Sequence, residues 1–249
     1  MKRTAIIFFI SLSLMFGSCD VLQQILEDAS TQTTLSNSEI IQGLKEALTT
    51  GAINSSKTLH ATDGYFKDAA VKILLPPEAN VIMENVRKVP GLGDKMMDDL
   101  VLRINRSAED AAVEAKPIFI NAVKSMTIQD GMAILKGSNT AATNYLKNKT
   151  YNQLKNAFRP KIDNSLNKKL VGNVSTNQAW TKTTSLYNKV APFIGKPKVN
   201  TSLSDYVTRK ALDGLFFKVS EEEKKIRANP YQYASDIIKK VFGYAKNNL

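Results

Sequence analysis

Cysteine is almost missing from this chain. Its 249 residues include one, Cys19, together with one histidine, His60, and one tryptophan. A single cysteine cannot close an intramolecular disulfide, and with one histidine beside it the ligand spacing of a zinc site is absent. A serine–histidine–aspartate triad would have to use His60, and no nucleophile elbow lies around it. Glycine and proline are sparse at 12 and 8. The short passage Gly91-Leu92-Gly93-Asp94 lacks both the length of a dinucleotide fingerprint and a strand before it, so it reads as a turn between helices. Long apolar runs are lacking too. The longest, Ala5 to Phe16, is interrupted by Ser11 and Ser13 and is about a dozen residues, against about 20 for a membrane-spanning helix. Neither a cofactor nor a metal is expected.

That short run is placed as an export signal requires, with Lys2 and Arg3 before it and the small residues Gly17 and Ser18 after it. Phe16-Gly17-Ser18-Cys19 resembles the lipobox of bacterial lipoproteins, with Phe16 where leucine is usual. The resemblance implies that residues 1–18 are removed, and that Cys19 becomes a lipid-bearing N-terminus. The alternative is an ordinary secretory signal that happens to contain a cysteine. Two or three acyl chains, at about 0.8 kcal/mol per buried methylene, hold a membrane where one alone does so only marginally. Residues 19–37 read as the lipidated N-terminus and a tether. Extended at about 3.3 Å per residue, that tether reaches roughly 50 Å from the bilayer. The expected address is the cell envelope, lipid-anchored, on the periplasmic face of a Gram-negative outer membrane.

Charge is divided unevenly. Residues 1–144 hold 14 Lys/Arg against 16 Asp/Glu, whereas residues 145–249 hold 20 against 7. Within residues 145–198 eleven basic residues meet one acid, Asp163, and aromatics are interleaved from Tyr145 to Phe193. Such a stretch suits an anionic surface, and Lys155, Arg159, Lys161, Lys168, Lys169 and Lys182 are its candidate contacts. In a cytoplasmic protein the pattern would suggest nucleic acid, a partner that export disfavours. The competing view is a solvated lysine-rich face that serves solubility.

Helical signals fill residues 38–249, and the expectation is an all-α fold: one domain of roughly ten helices. Ser36 with Glu39 forms a capping box ahead of a helix stopped at Gly51, and residues 52–61 form a second short one. Residues 71–75 look extended and end at Pro76-Pro77; Pro77 suits the first turn of a helix over 77–89. From residue 94 to 115 apolar residues recur every three or four positions. Further helices are expected at 118–126, 128–136, 140–148 and 150–170, the last bent at Pro160. Others follow at 176–189, 202–217 and, from a second capping box of Ser220 with Glu223, at 220–229. The last, 231–246, should bury Ala234, Ile237, Ile238, Val241 and Ala245.

Charged residues at helical spacing are the remaining candidates for chemistry. Arg106 pairs with Glu109 or Asp110, Asp205, Arg209 and Asp213 share one helix face, and Glu223 lies four residues before Arg227. Two carboxylates such as Glu109 and Asp213, if they met in a cleft, could act as general acid and base on an envelope polymer. Ion pairing within the helices explains the same spacing.

Several of these stretches resemble a bacterial family of domains of unknown function, number 4197. They include Ile41-Gln42-Gly43-Leu44-Lys45-Glu46-Ala47-Leu48, Asn105-Arg106-Ser107-Ala108-Glu109, Tyr206-Val207-Thr208-Arg209-Lys210-Ala211-Leu212-Asp213-Gly214-Leu215-Phe216 and Ile226-Arg227-Ala228-Asn229-Pro230. The likeness spans about residues 36–243, departing at Ser107 (alanine in the family) and Leu146 (phenylalanine). It implies a helical, exported, often lipid-anchored protein and carries no activity. It directs attention to Arg106, Glu109, Asp213, Glu223 and Arg227. The expected role is non-enzymatic: a module held on the membrane through Cys19, with a basic face for anionic lipid or an envelope protein. An apolar-ligand module with a methionine-lined pocket (Met83, Met96, Met97, Met126, Met132), and the carboxylate hydrolase, are the rivals. The sequence leaves the oligomeric state open.

Overall fold

In the computed structural model, residues 35–77, 79, 93–168 and 175–248 are described. The leader, Cys19, most of the tether, the helix expected over 77–89 and Lys169 lie outside them. The described residues are helical, joined by turns and loops, with no β-strand among them. Eight α-helices occur among them: α1 Asn37–His60, α2 Gly93–Ala112, α3 Ala115–Lys124, α4 Ile128–Lys136, α5 Ala141–Leu166, α6 Thr176–Val190, α7 Leu203–Ala228 and α8 Asp236–Asn248. Two 3₁₀ turns, Ala191–Ile194 and Pro230–Gln232, follow α6 and α7. None of the described helices is long and apolar enough to cross a membrane.

Among the described residues, three of the expected divisions between helices are not found. The pairs expected at 36–50 and 52–61, at 140–148 and 150–170, and at 202–217 and 220–229 are single helices here. Gly51 continues α1 because it is buried against Glu222 and Ile226 of α7, where tertiary packing outweighs a cost of about 1 kcal/mol for glycine in a helix. Pro160 likewise lies inside α5. The terminal helix begins at Asp236, not residue 231, since Pro230 opens a 3₁₀ turn; this leaves Ala234 exposed while Ile238 and Val241 are buried.

The core is built around α7, which packs against both α5 and α1, with α2 and α3 each packed on α1 and α5, and α8 on α1. Leu44, Ala47, Ala52 and Leu59 line the inner face of α1, and Leu203, Val207, Ala211 and Leu215 that of α7. On α5 the buried residues step by four, through Leu146, Thr150, Leu154, Phe158, Ile162 and Leu166. A step of four overshoots a turn by about 40°, so the stripe winds around α5 and lets it serve several neighbours in succession. Phe119 and Phe216 meet edge to face at 5.9 Å, and Tyr151 stacks on Phe216 at 6.4 Å. Buried hydroxyls turn back onto their own helices: Ser55, Thr150, Thr184 and Thr208 each donate to the carbonyl four residues earlier, at 2.6–2.7 Å. No described buried side-chain nitrogen or oxygen lacks a partner.

The contact between α1 and α8 depends on Gly43. A Cβ there would stand 2.6 Å from Val241 Cγ2, 2.9 Å from Val241 Cβ and 3.0 Å from the Ile237 carbonyl oxygen. Rotating Val241 relieves one of these clashes and not the backbone one. Gly43→Ala should therefore destabilise despite its higher helix propensity, by about 1–3 kcal/mol as other overpacked cores do. A urea midpoint equal to or above that of the unaltered protein would contradict this.

Candidate functional site

Two buried carboxylates organise the polar interior, and both belong to the stretches singled out in the sequence. Helix α5 starts at Ala141, and its cap residue, Thr140, makes no side-chain cap. The early N–H groups are satisfied from α7 instead. Glu223 accepts from Ala142 N at 3.0 Å, Thr143 N at 2.8 Å and the Thr143 hydroxyl at 2.9 Å. Arg227, one turn on, donates to Glu223 at 3.0 Å and to the carbonyls of Ile134 and Leu135 at 2.7 and 3.3 Å. One ion pair on α7 thus covers the N–H groups that open α5 and adds donors to the carbonyls of Ile134 and Leu135 that close α4. The capping box read at Ser220 and Glu223 is corrected accordingly. Ser220 lies inside α7 and donates to the Phe217 carbonyl, while Glu223 caps a different helix.

Glu109 plays the same part for residues 61–77. Its carboxylate accepts from Tyr65 N and Phe66 N at 3.1 and 3.2 Å and pairs with Arg106 at 2.5 Å. Arg106 reaches on to Asp63 at 2.6 Å, a residue held in the left-handed region at φ 69°. His60 Nδ1 stands 2.9 Å from the Glu109 carbonyl. Asn105, fully buried, grips the extended passage: its amide accepts from Ile73 N and donates to Ile73 O, both at 2.8 Å. A side chain thereby stands in for the missing neighbouring strand, which explains why Val71 and Ile73 are buried while Lys72 and Leu74 are exposed. Tyr65 passes under α7, donates to the Ala211 carbonyl at 2.8 Å, and lies where Gly214 leaves room: a Cβ there would be 2.9 Å from the ring. Burial pushes the Tyr65 hydroxyl well above its usual range.

Asp213 stands apart from Glu109. It is exposed on α7 and lines a surface cleft of about 310 Å³ with Tyr151, Trp180, Tyr206, Arg209 and Lys210. It is the one carboxylate lining that cleft among the described residues, whereas Glu109 is buried and fully engaged. An acid–base pair needs two carboxyl groups facing one substrate. That geometry is not formed by these two residues. The gap among α1, α4, α5, α7 and α8 has about 20 Å³, room for a water and not for an acyl chain. Of the five methionines, Met126 is buried and Met132 half-buried, while the side chains of Met83, Met96 and Met97 lie outside the described residues.

Of the six basic candidates Lys169 lies outside the described residues, and the other five fall into two groups. Lys155 pairs with Asp205 at 3.6 Å, Arg159 with Asp163 at 3.8 Å and Lys161 with Glu114 at 2.9 Å. Lys168 and Lys182 are exposed, and neither is ion-paired to a described residue. Sequence reasoning passed over three further lysines, Lys189, Lys196 and Lys198, which are also exposed and unpaired among the described residues. Their signal was available: no Asp or Glu occurs between Asp163 and Asp205.

The fold and its polar joints define a helical module in which most conspicuous charges are structural. The chain belongs to a family of proteins of unknown function, DUF4197, which it matches over residues 34–243. No curated protein and no solved structure matches it.

Two outcomes follow from this chemistry. Glu223→Ala should cost about 3–5 kcal/mol in urea unfolding, as loss of one partner of a buried pair does, and a cost below about 1 kcal/mol would show that Glu223 is not what holds the α4–α5 corner. The second concerns Asp68, whose carboxyl the Lys218 ammonium, 2.6 Å away, holds below its usual value of 3.8. A lowered native value stabilises fully above that pH and is lost as pH falls through the native one. Asp68→Asn should accordingly lower the thermal midpoint at pH 7, with the difference from the unaltered protein closing below about pH 4. A difference that stays constant down to pH 2 would contradict the assignment.

Proposed function

We propose that this protein is a non-enzymatic envelope module, lipid-anchored through Cys19, whose unpaired lysines rest on an anionic surface. The observation that carries the reading is the separation of its charges. Elsewhere many acids are matched by bases: Asp63 by Lys67 and Arg106, Asp68 by Lys218, Asp205 by Lys155 and Arg209, Glu39 by Lys240. Along the chain no Asp or Glu occurs between Asp163 and Asp205, and Lys168, Lys182, Lys189, Lys196 and Lys198 face solvent without an ion pair to a described residue.

Magnitude decides what such a face could do. At about 1 kcal/mol per lysine close to anionic lipid, five supply on the order of 5 kcal/mol, a submillimolar affinity alone. That is too weak to recruit a protein from solution and sufficient to orient one already tethered. The lipobox-like passage at Cys19 is the complementary support.

The test uses the Asn37–Leu249 unit, which packs by itself and contains no cysteine. It should sediment with phosphatidylglycerol-containing vesicles at about 20 mM salt and much less at 150 mM, where the screening length is about 8 Å. Pure phosphatidylcholine vesicles should leave it in solution or bind it far more weakly. Equal binding to both, or to neither, would overturn the reading.

A further inference from the structure

The basic face has an apolar point. Helix α6 buries Trp180 and Thr184 on one side, and Ala191, just past its end, is buried too. On the opposite side Leu186 and Val190 are 56% and 53% exposed, and the 3₁₀ turn extends the row with Phe193 at 89% and Ile194 at 56%. The spacing of four and three keeps Leu186, Val190 and Phe193 on the solvent side of the helical tip, and Ile194 is exposed next to Phe193. Lys182 is one turn before Leu186 on that same side, with Lys189, Lys196 and Lys198 flanking the row.

The tip is built, not frayed. Residues 196–201 run back along α6 and are bonded to it by side chains. Asn188 holds Val199 from both sides, accepting from Val199 N at 2.8 Å and donating to Val199 O at 2.9 Å. Trp180 Nε1 donates to Asn200 O and the Thr181 hydroxyl to Thr201 O, both at 3.2 Å. Lys196 N closes the turn onto Ala191 O at 2.9 Å, with Gly195 in the left-handed region at φ 65°. A phenylalanine held out at the end of so well-bonded a turn, with lysines beside it, has the form of an interfacial anchor. The rings and aliphatic groups enter the boundary of the acyl chains while the lysine heads stay among the phosphates.

We infer that the α6 tip, Leu186, Val190, Phe193 and Ile194, is a wedge that enters the headgroup region of an anionic phospholipid bilayer. The inference rests on the anionic-surface reading above and adds to it the element that penetrates, and hence the partner: a bilayer rather than an anionic protein. Charge complementarity selects that occupant, because no acid lies between Asp163 and Asp205 to repel a phosphate-rich surface.

In the cysteine-free Asn37–Leu249 unit, Phe193→Cys offers a single site for the environment-sensitive fluorophore NBD. On vesicles containing phosphatidylglycerol its emission should shift to the blue and rise several-fold, while the same label at Lys57→Cys on α1 should not respond. Phe193→Ser with Ile194→Ser leaves every charge in place and should weaken vesicle binding about tenfold, the effect of roughly 1.4 kcal/mol of lost apolar burial. The thermal midpoint should be unchanged, since both side chains are exposed. Salt-sensitive binding with a silent NBD label and an unimpaired double variant would overturn the wedge and leave the electrostatic reading standing. No vesicle binding by the unaltered unit would overturn both. A dimer in solution that the double variant dissociates would make the tip a contact between copies, which also overturns the wedge.

Discussion

A charge removed from water must be given partners, and the architecture depends on how two buried glutamates meet that demand. Glu223 and Glu109 each accept two backbone N–H groups and one arginine. In both places the carboxylate reaches a segment remote in sequence: Glu223 reaches helix α5 some eighty residues away, and Glu109 the loop after α1 over forty residues away. The arginines then carry the connection further, Arg227 to the end of α4 and Arg106 to Asp63. A neutral side chain could fill the same volume, but it could not terminate two helices at one corner. These pairs therefore fix where elements begin and end, and the apolar core fixes how they pack.

Asn105 extends the same logic to an uncharged group. Residues 71–75 have the alternating burial of a strand and no strand beside them among the described residues. Without the bidentate amide, Ile73 would carry an unpaired N–H and carbonyl into the interior. Arg106, Glu109 and Asn105 sit within two turns of α2, so one short helical segment holds Asp63, Tyr65, Phe66 and Ile73 of the preceding connection. Arg106, Glu109, Glu223 and Arg227 are in this sense joints of the fold.

Once those charges are assigned to structure, the surface is easier to interpret. What is left over is not a pair of carboxylates in a cleft but a set of exposed lysines in a stretch of sequence without acids, grouped with four outward apolar side chains at the end of α6. On the acidic side Asp213 is exposed beside Tyr151, Trp180 and Tyr206, without a second carboxylate lining its cleft.

The all-helical class was legible in the sequence because apolar spacing of three and four persists through most of the chain, and Leu203, Val207, Ala211 and Leu215 are buried as that spacing requires. So was the uneven charge, and so were the individual pairs Arg106–Glu109 and Glu223–Arg227, since i,i+3 and i,i+4 neighbours are set by helix geometry alone. Helix boundaries were not. Gly51 and Ser220 carry local signals for stopping and starting, and tertiary packing on α1 and α7 overrode them, while Pro160 lies within α5. Nor could sequence show that Glu223 caps α5, that Asn105 binds Ile73, or that Lys155, Arg159 and Lys161 are neutralised while Lys189, Lys196 and Lys198 are not. Each of these is a contact between residues far apart in the chain, and local spacing fixes only what happens within about a turn. Periodicity determined the elements, and the need to pair buried polar groups across them decided the rest.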